Sequence, residues 1–315
     1  MPGTEKIEYG SIFSKISSGA NRPRTAPKRG KYDFAVAYAD PSSLPIKGLM
    51  DSLKTAMESE GQDLAIYPHP QGYPPLREFV ANKLSKDHNI TVSSDDIILG
   101  DGSSQPIHTV VEALIDPSDV VITENFVYSG TLSTLRRFGA EIRGVRCDKD
   151  GMDPVALEMT IQKAINNGRK PKLIYTIPTF QNPQGWEMTL ERKQSMLNLS
   201  RTYGIPILED DCYVDLRFDG SPVAPIRSLD DTNHVMYVGS FSKIIAPGMR
   251  LGYLTAPSDV LDKIGAIKSG GGVNQFASMA VHRYATSSLD DHVGEINNIF
   301  RNKRDAMLAA LGENF

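Results

Sequence analysis

The stretch "YVGSFSKIIAPGMRLGYLTAP", Tyr237 to Pro257, decides the fold. The apolar, β-rich run His234–Val238 that leads into it reads as a buried strand, and Leu251–Leu254 near its end reads as another. Between them stand Ser240-Phe241-Ser242-Lys243 and, further on, Arg250 flanked by Gly248 and Gly252. This segment is too polar for core and too apolar for an ordinary surface loop. Upstream, similar runs recur at Ile97–Leu99, Val120–Thr123, Ile142–Val145, Leu173–Ile177 and Ile205–Leu208. Helical patterns lie between several of them, including Gln105–Leu114 and Leu190–Tyr203. Strands alternating with helices predict an α/β fold: a mainly parallel seven-stranded sheet with helices on both faces. In such sheets ligands bind beyond the carboxyl ends of the strands, so the chemistry belongs in the segments that follow each run.

Bulk composition narrows the class. The chain has 315 residues, 40% hydrophobic and 23% charged, enough for one large domain with an accessory piece, or for two domains. Its net charge of −4 arises from 34 basic and 38 acidic residues, with no basic cluster of the kind nucleic acid requires. No run is long and apolar enough for a transmembrane helix, and "MPGTEKIEYGSIFSKISSG" lacks the apolar centre of a signal peptide, so the expectation is a cytoplasmic protein without nucleic-acid or membrane partners. Cys147 and Cys212 are far apart, and the histidines are scattered singly; no metal site is expected. Asn89-Ile90-Thr91 and Asn198-Leu199-Ser200 match the glycosylation pattern by chance on this reading. Residues 1–30 read as a polar, mobile arm. Leu289, Val293, Ile296, Phe300, Met307 and Leu311 mark one long amphipathic helix starting near Asp290-Asp291.

Each strand end presents polar groups. Ile97–Leu99 is followed by Gly100-Asp-Gly102-Ser103-Ser104-Gln105 and a helix, where glycines allow close approach and free amides attract phosphate; a plain capped turn has the same form. Val120–Thr123 leads to Tyr128, a packing residue or a ring platform. Leu173–Ile177 leads to Asn182-Pro183, a turn carrying a hydrogen-bonding amide. Ile205–Leu208 leads to Glu209-Asp210-Asp211-Cys212-Tyr213. Three adjacent carboxylates need a counter-charge: a divalent metal, a protonated ring nitrogen, or solvent at an acidic edge.

Taken in order, these motifs resemble those of fold-type I, class I and II aminotransferases. The nearest likeness is to the 2-aminoadipate and aromatic aminotransferase group, which includes the effector domains of MocR-type regulators. The likeness runs from "YPHPQGYPPLRE" (Tyr67 to Glu78) through "GSFSK" to Arg250 and covers most of residues 60–312. It implies pyridoxal 5'-phosphate as cofactor and transamination between an amino acid and a 2-oxo acid. Lys243 would be the Schiff-base lysine, and Asp210 would pair with the pyridine nitrogen. Tyr213 and Asn182 would bond the ring's 3'-oxygen, and Tyr128 would stack on the ring. Ser103, Ser104 and Gln105 would meet the phosphate, with Ser240, Ser242 and Arg250 completing its cradle. Tyr67 would reach the phosphate from a neighbouring subunit, which implies a homodimer with shared sites. Lys268–Gln275 would lie where the partner's loop approaches.

The resemblance has two departures. Where the family often has a glycine-rich turn beside the substrate carboxylate, this chain has Val36-Ala-Tyr38-Ala39-Asp40-Pro41, placing a tyrosine near the substrate space. Family members also continue into a small domain that supplies an arginine for the substrate carboxylate. The expected domains are therefore an N-terminal segment, 1–44, a cofactor-binding large domain, 45–288, and the start of a small C-terminal domain, 289–315, that is largely missing. On that expectation turnover is impaired and the helix exposes an apolar face. Lyase, decarboxylase or racemase chemistry on the same cofactor stays open, as does a non-catalytic relative. A regulator's sensing module would need a winged-helix domain, which residues 1–30 do not supply.

Overall fold

A computed structural model describes residues 6–18, 30–32, 37–268 and 271–314. The chain forms two compact units, Met1–Ala37 and Tyr38–Phe315. The first contains the short helix α1 (Lys15–Ser18). Much of the expected mobile arm falls outside the described residues. The second unit holds α2 (Ile46–Glu60), α3 (Pro74–His88), β1 (Ile97–Asp101), α4 (Ser104–Leu114), β2 (Val120–Glu124), α5 (Ser129–Arg137) and β3 (Glu141–Val145). A small hairpin of β4 (Cys147–Asp148) and β5 (Gly151–Met152) follows, then α6 (Pro154–Asn166), β6 (Leu173–Thr176), α7 (Leu190–Tyr203), β7 (Ile207–Asp210), β8 (Val235–Ser240), β9 (Leu251–Thr255), α8 (Ser258–Ile267) and α9 (Gln275–Asn314).

All seven apolar runs enter one seven-stranded sheet, ordered β1-β9-β8-β7-β6-β2-β3. The pairs within β3-β2-β6-β7-β8 are parallel, whereas β9 runs antiparallel to both β8 and β1. That reversal brings the amino end of β9, with Arg250 just before it, to the edge where the parallel strands end. Side-chain alternation gives the sheet two buried faces, one of them covered in two patches. Val121, Leu173, Tyr175, Leu208, Val238 and Leu254 face a layer formed by α4, α5 and α8. Ile122, Ile174, Ile207 and Val235 face α6 and α7. Ile97, Leu99, Tyr237 and Tyr253 face α3 and α9.

Local signals fix the helix ends. α7 starts where the Thr189 side chain accepts from the Arg192 amide and stops at Gly204, whose φ of 56° is the left-handed conformation glycine adopts at least cost. The last helix departs from the sequence expectation: it begins at Gln275, not near Asp290-Asp291. Asn274 supplies the cap, its Oδ1 accepting from the Ala277 amide at 2.9 Å. The polar run Thr286-Ser287-Ser288 does not interrupt it, because the Ser287 hydroxyl donates back to the Arg283 carbonyl at 3.2 Å. Leu289 and Ile296 are buried in the same core as Ala56 and Leu84, while Met307, Leu308 and Leu311 are exposed. Among the described residues no helix is long and apolar enough to cross a membrane.

Candidate active site

The acidic run at the end of β7 is sorted by the alternation of the strand. Glu209, Asp210 and Asp211 are all buried, so the run is not a solvated edge. Glu209 accepts from the amides of Ile226 and Arg227, both at 2.8 Å. Asp211 accepts from the Tyr237 hydroxyl at 3.3 Å. Burial raises both carboxyls, and the positive charge of buried Lys193 on α7 offsets part of that rise. Asp210 points to the opposite face. Its partners are neutral: the Tyr175 hydroxyl donates to Oδ2 at 2.6 Å and the Cys212 thiol to Oδ1 at 2.9 Å. Burial still pushes the Asp210 carboxyl above its ordinary range.

Asn182 and Tyr213, from the loops after β6 and β7, meet directly: Nδ2 of Asn182 donates to the Tyr213 hydroxyl at 3.2 Å. Asn182-Pro183 is a cis peptide. Lys243 Nζ lies 5.7 Å from the centre of the Tyr213 ring, and burial holds its amine below the ordinary lysine range. The Tyr213 phenol is pushed up to about 12, first by burial and then by Cys212, with Asp210 and Tyr128 adding to the rise. Tyr128 keeps 42% of its surface exposed, which favours a platform over a packing role. A Cβ at Gly130 would fall 2.4 Å from its ring, so that glycine leaves the ring its place.

The two segments expected to meet a phosphate are in close contact. A Cβ at Gly252 would lie 2.6 Å from both the Gly102 carbonyl carbon and the Ser103 amide nitrogen. A Cβ at Gly102 would lie 2.5 Å from the Arg250 guanidinium. Arg250 donates to the Asp101 carbonyl at 2.8 Å and pairs with its carboxylate at 3.4 Å. Ser103 occupies the position before α4 without a side-chain cap bond, and Ser104 opens the helix. The Gln105 side-chain oxygen turns back to accept from the Asp101 amide at 2.9 Å. Ser240 and Ser242 are buried beneath, the Ser242 amide donating to Ser240 Oγ at 3.1 Å.

Tyr67 stands apart, 97% exposed. The loop from Lys268 is packed on residues 68–70 of the same chain: Lys268 Nζ donates to the Pro70 carbonyl at 2.7 Å, and a Cβ at Gly272 would meet the His69 carbonyl oxygen at 2.2 Å. Ser269 and Gly270 of that loop, and Val36 of the departing segment, lie outside the described residues. Tyr38 is exposed, and Asp40 pairs with Lys303 of α9, which holds its carboxyl down at about 2.

Sequence reasoning missed Tyr175, Thr131, Cys212 and Glu124. Thr131 donates to the Tyr175 hydroxyl at 3.0 Å. Glu124 accepts from the Thr176 hydroxyl at 2.6 Å and the Ile177 amide at 2.9 Å, fixing the start of the loop that carries Asn182. Tyr175 and Asp210 share a face because Tyr175 registers with Leu208, a pairing that a single sequence does not give.

The family model for aminotransferase class I and II matches residues 37–314. The chain belongs to that family. It is 33% identical over 316 residues to aromatic-amino-acid aminotransferase 1 of Thermococcus litoralis, covering 98% of this chain and 76% of that relative. Among solved structures it resembles the multiple substrate aminotransferase of Thermococcus profundus, with a TM-score of 0.90 at 28% identity over 98% of this chain and 78% of the other. It also resembles the kynurenine aminotransferase of Pyrococcus horikoshii, solved with PMP, KYN as substrates and KYA as products. There the TM-score is 0.88 at 28% identity, covering 97% of this chain and 78% of the other.

Proposed function

We propose that this chain is a pyridoxal-phosphate-dependent aminotransferase acting on 2-aminoadipate or aromatic amino acids, with a 2-oxo acid as the second substrate. The observation that carries the reading is the meeting of Lys243, Tyr213 and Asn182 beside buried Asp210, next to a two-glycine cradle crossed by Arg250. These residues fit the cofactor. Asp210 is a buried carboxylate whose hydrogen-bond partners are neutral, suited to a ring nitrogen that carries a proton. Gly102 and Gly252 leave room where side chains would collide, and the start of α4 offers amides to a phosphate.

When bound, pyridoxal phosphate supplies an aldehyde that takes the amino group and a ring that accepts electrons. Lys243 would hold the cofactor through Nζ and would carry a proton on that atom to and from the substrate; burial favours the neutral amine this needs. Asp210 would pair with the ring nitrogen and favour its protonated form. Tyr213 and Asn182 act as a coupled pair at the ring oxygen, and Tyr128 gives the ring a face to stack on. Ser103, Ser104, Gln105, Ser240, Ser242 and Arg250 bind the phosphate. Tyr67 projects to a second copy's phosphate, so the functional unit is a homodimer; its full exposure in the single chain supports this.

The test is to mix purified, cofactor-loaded protein with a panel of amino acids, record the cofactor's absorbance, and identify the product by mass spectrometry. A 2-oxo acid formed in equal amount to the amine carried away supports transamination. Carbon dioxide, an alkene-derived product or the opposite enantiomer would replace it with decarboxylation, elimination or racemisation.

A further inference from the structure

Resting on the cofactor reading above, we propose that Tyr175 and Cys212 form a neutral donor clamp on Asp210, with Thr131 as its outer member, and that the clamp keeps Asp210 an acceptor toward the cofactor ring. The geometry is complete. Tyr175 on β6 donates to Oδ2 at 2.6 Å, Cys212 just beyond β7 donates to Oδ1 at 2.9 Å, and Thr131 on α5 donates to the Tyr175 oxygen at 3.0 Å. Thr131, Tyr175 and Asp210 are all buried. Each oxygen of the carboxylate therefore has a protein donor, and its remaining acceptor capacity is left for an outside partner.

The chemistry follows from where the proton resides. A buried carboxylate facing a pyridinium can share or capture its proton, because burial favours two neutral groups over two charged ones. Donors on the carboxylate oppose this by stabilising the anion. Both donors keep their own protons: burial and the adjacent carboxylate raise the Tyr175 phenol and the Cys212 thiol well above their ordinary ranges. A cation in their place would neutralise Asp210 and compete with the ring. Neutral donors orient the carboxylate and leave its charge available. These are positioning residues, acting through Asp210.

The experiment uses the intact chain loaded with pyridoxal phosphate carrying ¹⁵N in the ring, which reports ring protonation by its chemical shift. In Tyr175→Phe and Cys212→Ala the resonance should move toward the position of unprotonated pyridine, and the cofactor dissociation constant should rise on the order of tenfold for a lost hydrogen bond to a charged group. Thr131→Val should move the resonance less in the same direction, and Cys212→Ser should restore it. If Tyr175→Phe fails to fold, the Cys212 pair and Thr131→Val carry the test. An unchanged resonance in the folded donor-deleted variants overturns the inference while leaving the proposed function standing. An unsubstituted chain that binds no pyridoxal phosphate overturns that function, and the clamp with it.

Discussion

Lys243 and Asp210 show how one environment shifts opposite charges in opposite directions. Burial lowers the lysine and raises the aspartate, and each shift favours the neutral form. Lys243→Ala should abolish covalent cofactor attachment and lower turnover at least ~100-fold, as loss of a positioned acid–base group does. Borohydride reduction and peptide mapping of the unsubstituted chain should find the pyridoxyl group on Lys243; its presence on another lysine would end the assignment. Asp210→Asn should still bind cofactor yet react on the order of 100-fold more slowly, whereas Asp211→Asn, on the Lys193 side of the strand, should mainly cost stability. The reverse pattern in rate assays and melts would show the two were exchanged. Glu124 gives a pH signature. Burial raises it from an ordinary 4.5 to about 7, so between those values the folded chain holds a proton that the unfolded chain has released. Stability therefore falls as pH rises through that window, by on the order of 3 kcal/mol from this group. Glu124→Gln should make the fall shallower in urea titrations between pH 4.5 and 7, without removing it, since Glu209 is raised too. An unaltered slope would show that Glu124 is ionised in the folded chain.

The elements were legible where apolar runs were long, and shifted where polar groups joined the ladder. Ile205–Leu208 was expected as a strand, but the strand runs from Ile207 to Asp210. Ile205 instead closes α7, its amide donating to the Ser200 carbonyl at 3.0 Å, and buried Glu209 and Asp210 extend the strand against hydropathy. β6 stops at Thr176 because the Ile177 amide is taken by Glu124. The cradle depends on two elements touching through backbone. Gly252→Ala should force β9 away from Gly102 and Ser103, since the added carbon would collide with the backbone of the peptide that joins them. Cofactor affinity should drop about tenfold or more, within the roughly 1–3 kcal/mol typical of overpacking. Fluorescence titration measures this; unchanged affinity would show that the phosphate is held elsewhere.

Over the whole molecule, α9 decides how much of the chain is one body. The expected domain boundary lies before Leu289; Leu289 and Ile296 pack in the same core as α2, α3 and the sheet. Leu289→Ala and Ile296→Ala should each cost ~2–4 kcal/mol by urea denaturation, as large-to-small core changes do. Leu308→Ser, on the exposed end, should cost less than ~0.5 kcal/mol. Equal effects at the two ends would mean that the helix is packed along its length by something beyond this chain, such as a second copy.

The sequence by itself determined the seven strands of the main sheet, their alternation with helices, and the residue types at each strand end. These are local: periodicity, turn chemistry and the order of motifs survive in a single chain read from end to end. Tertiary structure decided what local patterns cannot encode. The antiparallel entry of β9 brought Arg250 to the same edge as Ser103, and strand register gave Asp210, rather than Glu209 or Asp211, Tyr175 as a partner. Those outcomes depend on which strands pair and in what register, and a shift of one residue would turn every side chain of β7 to the other face.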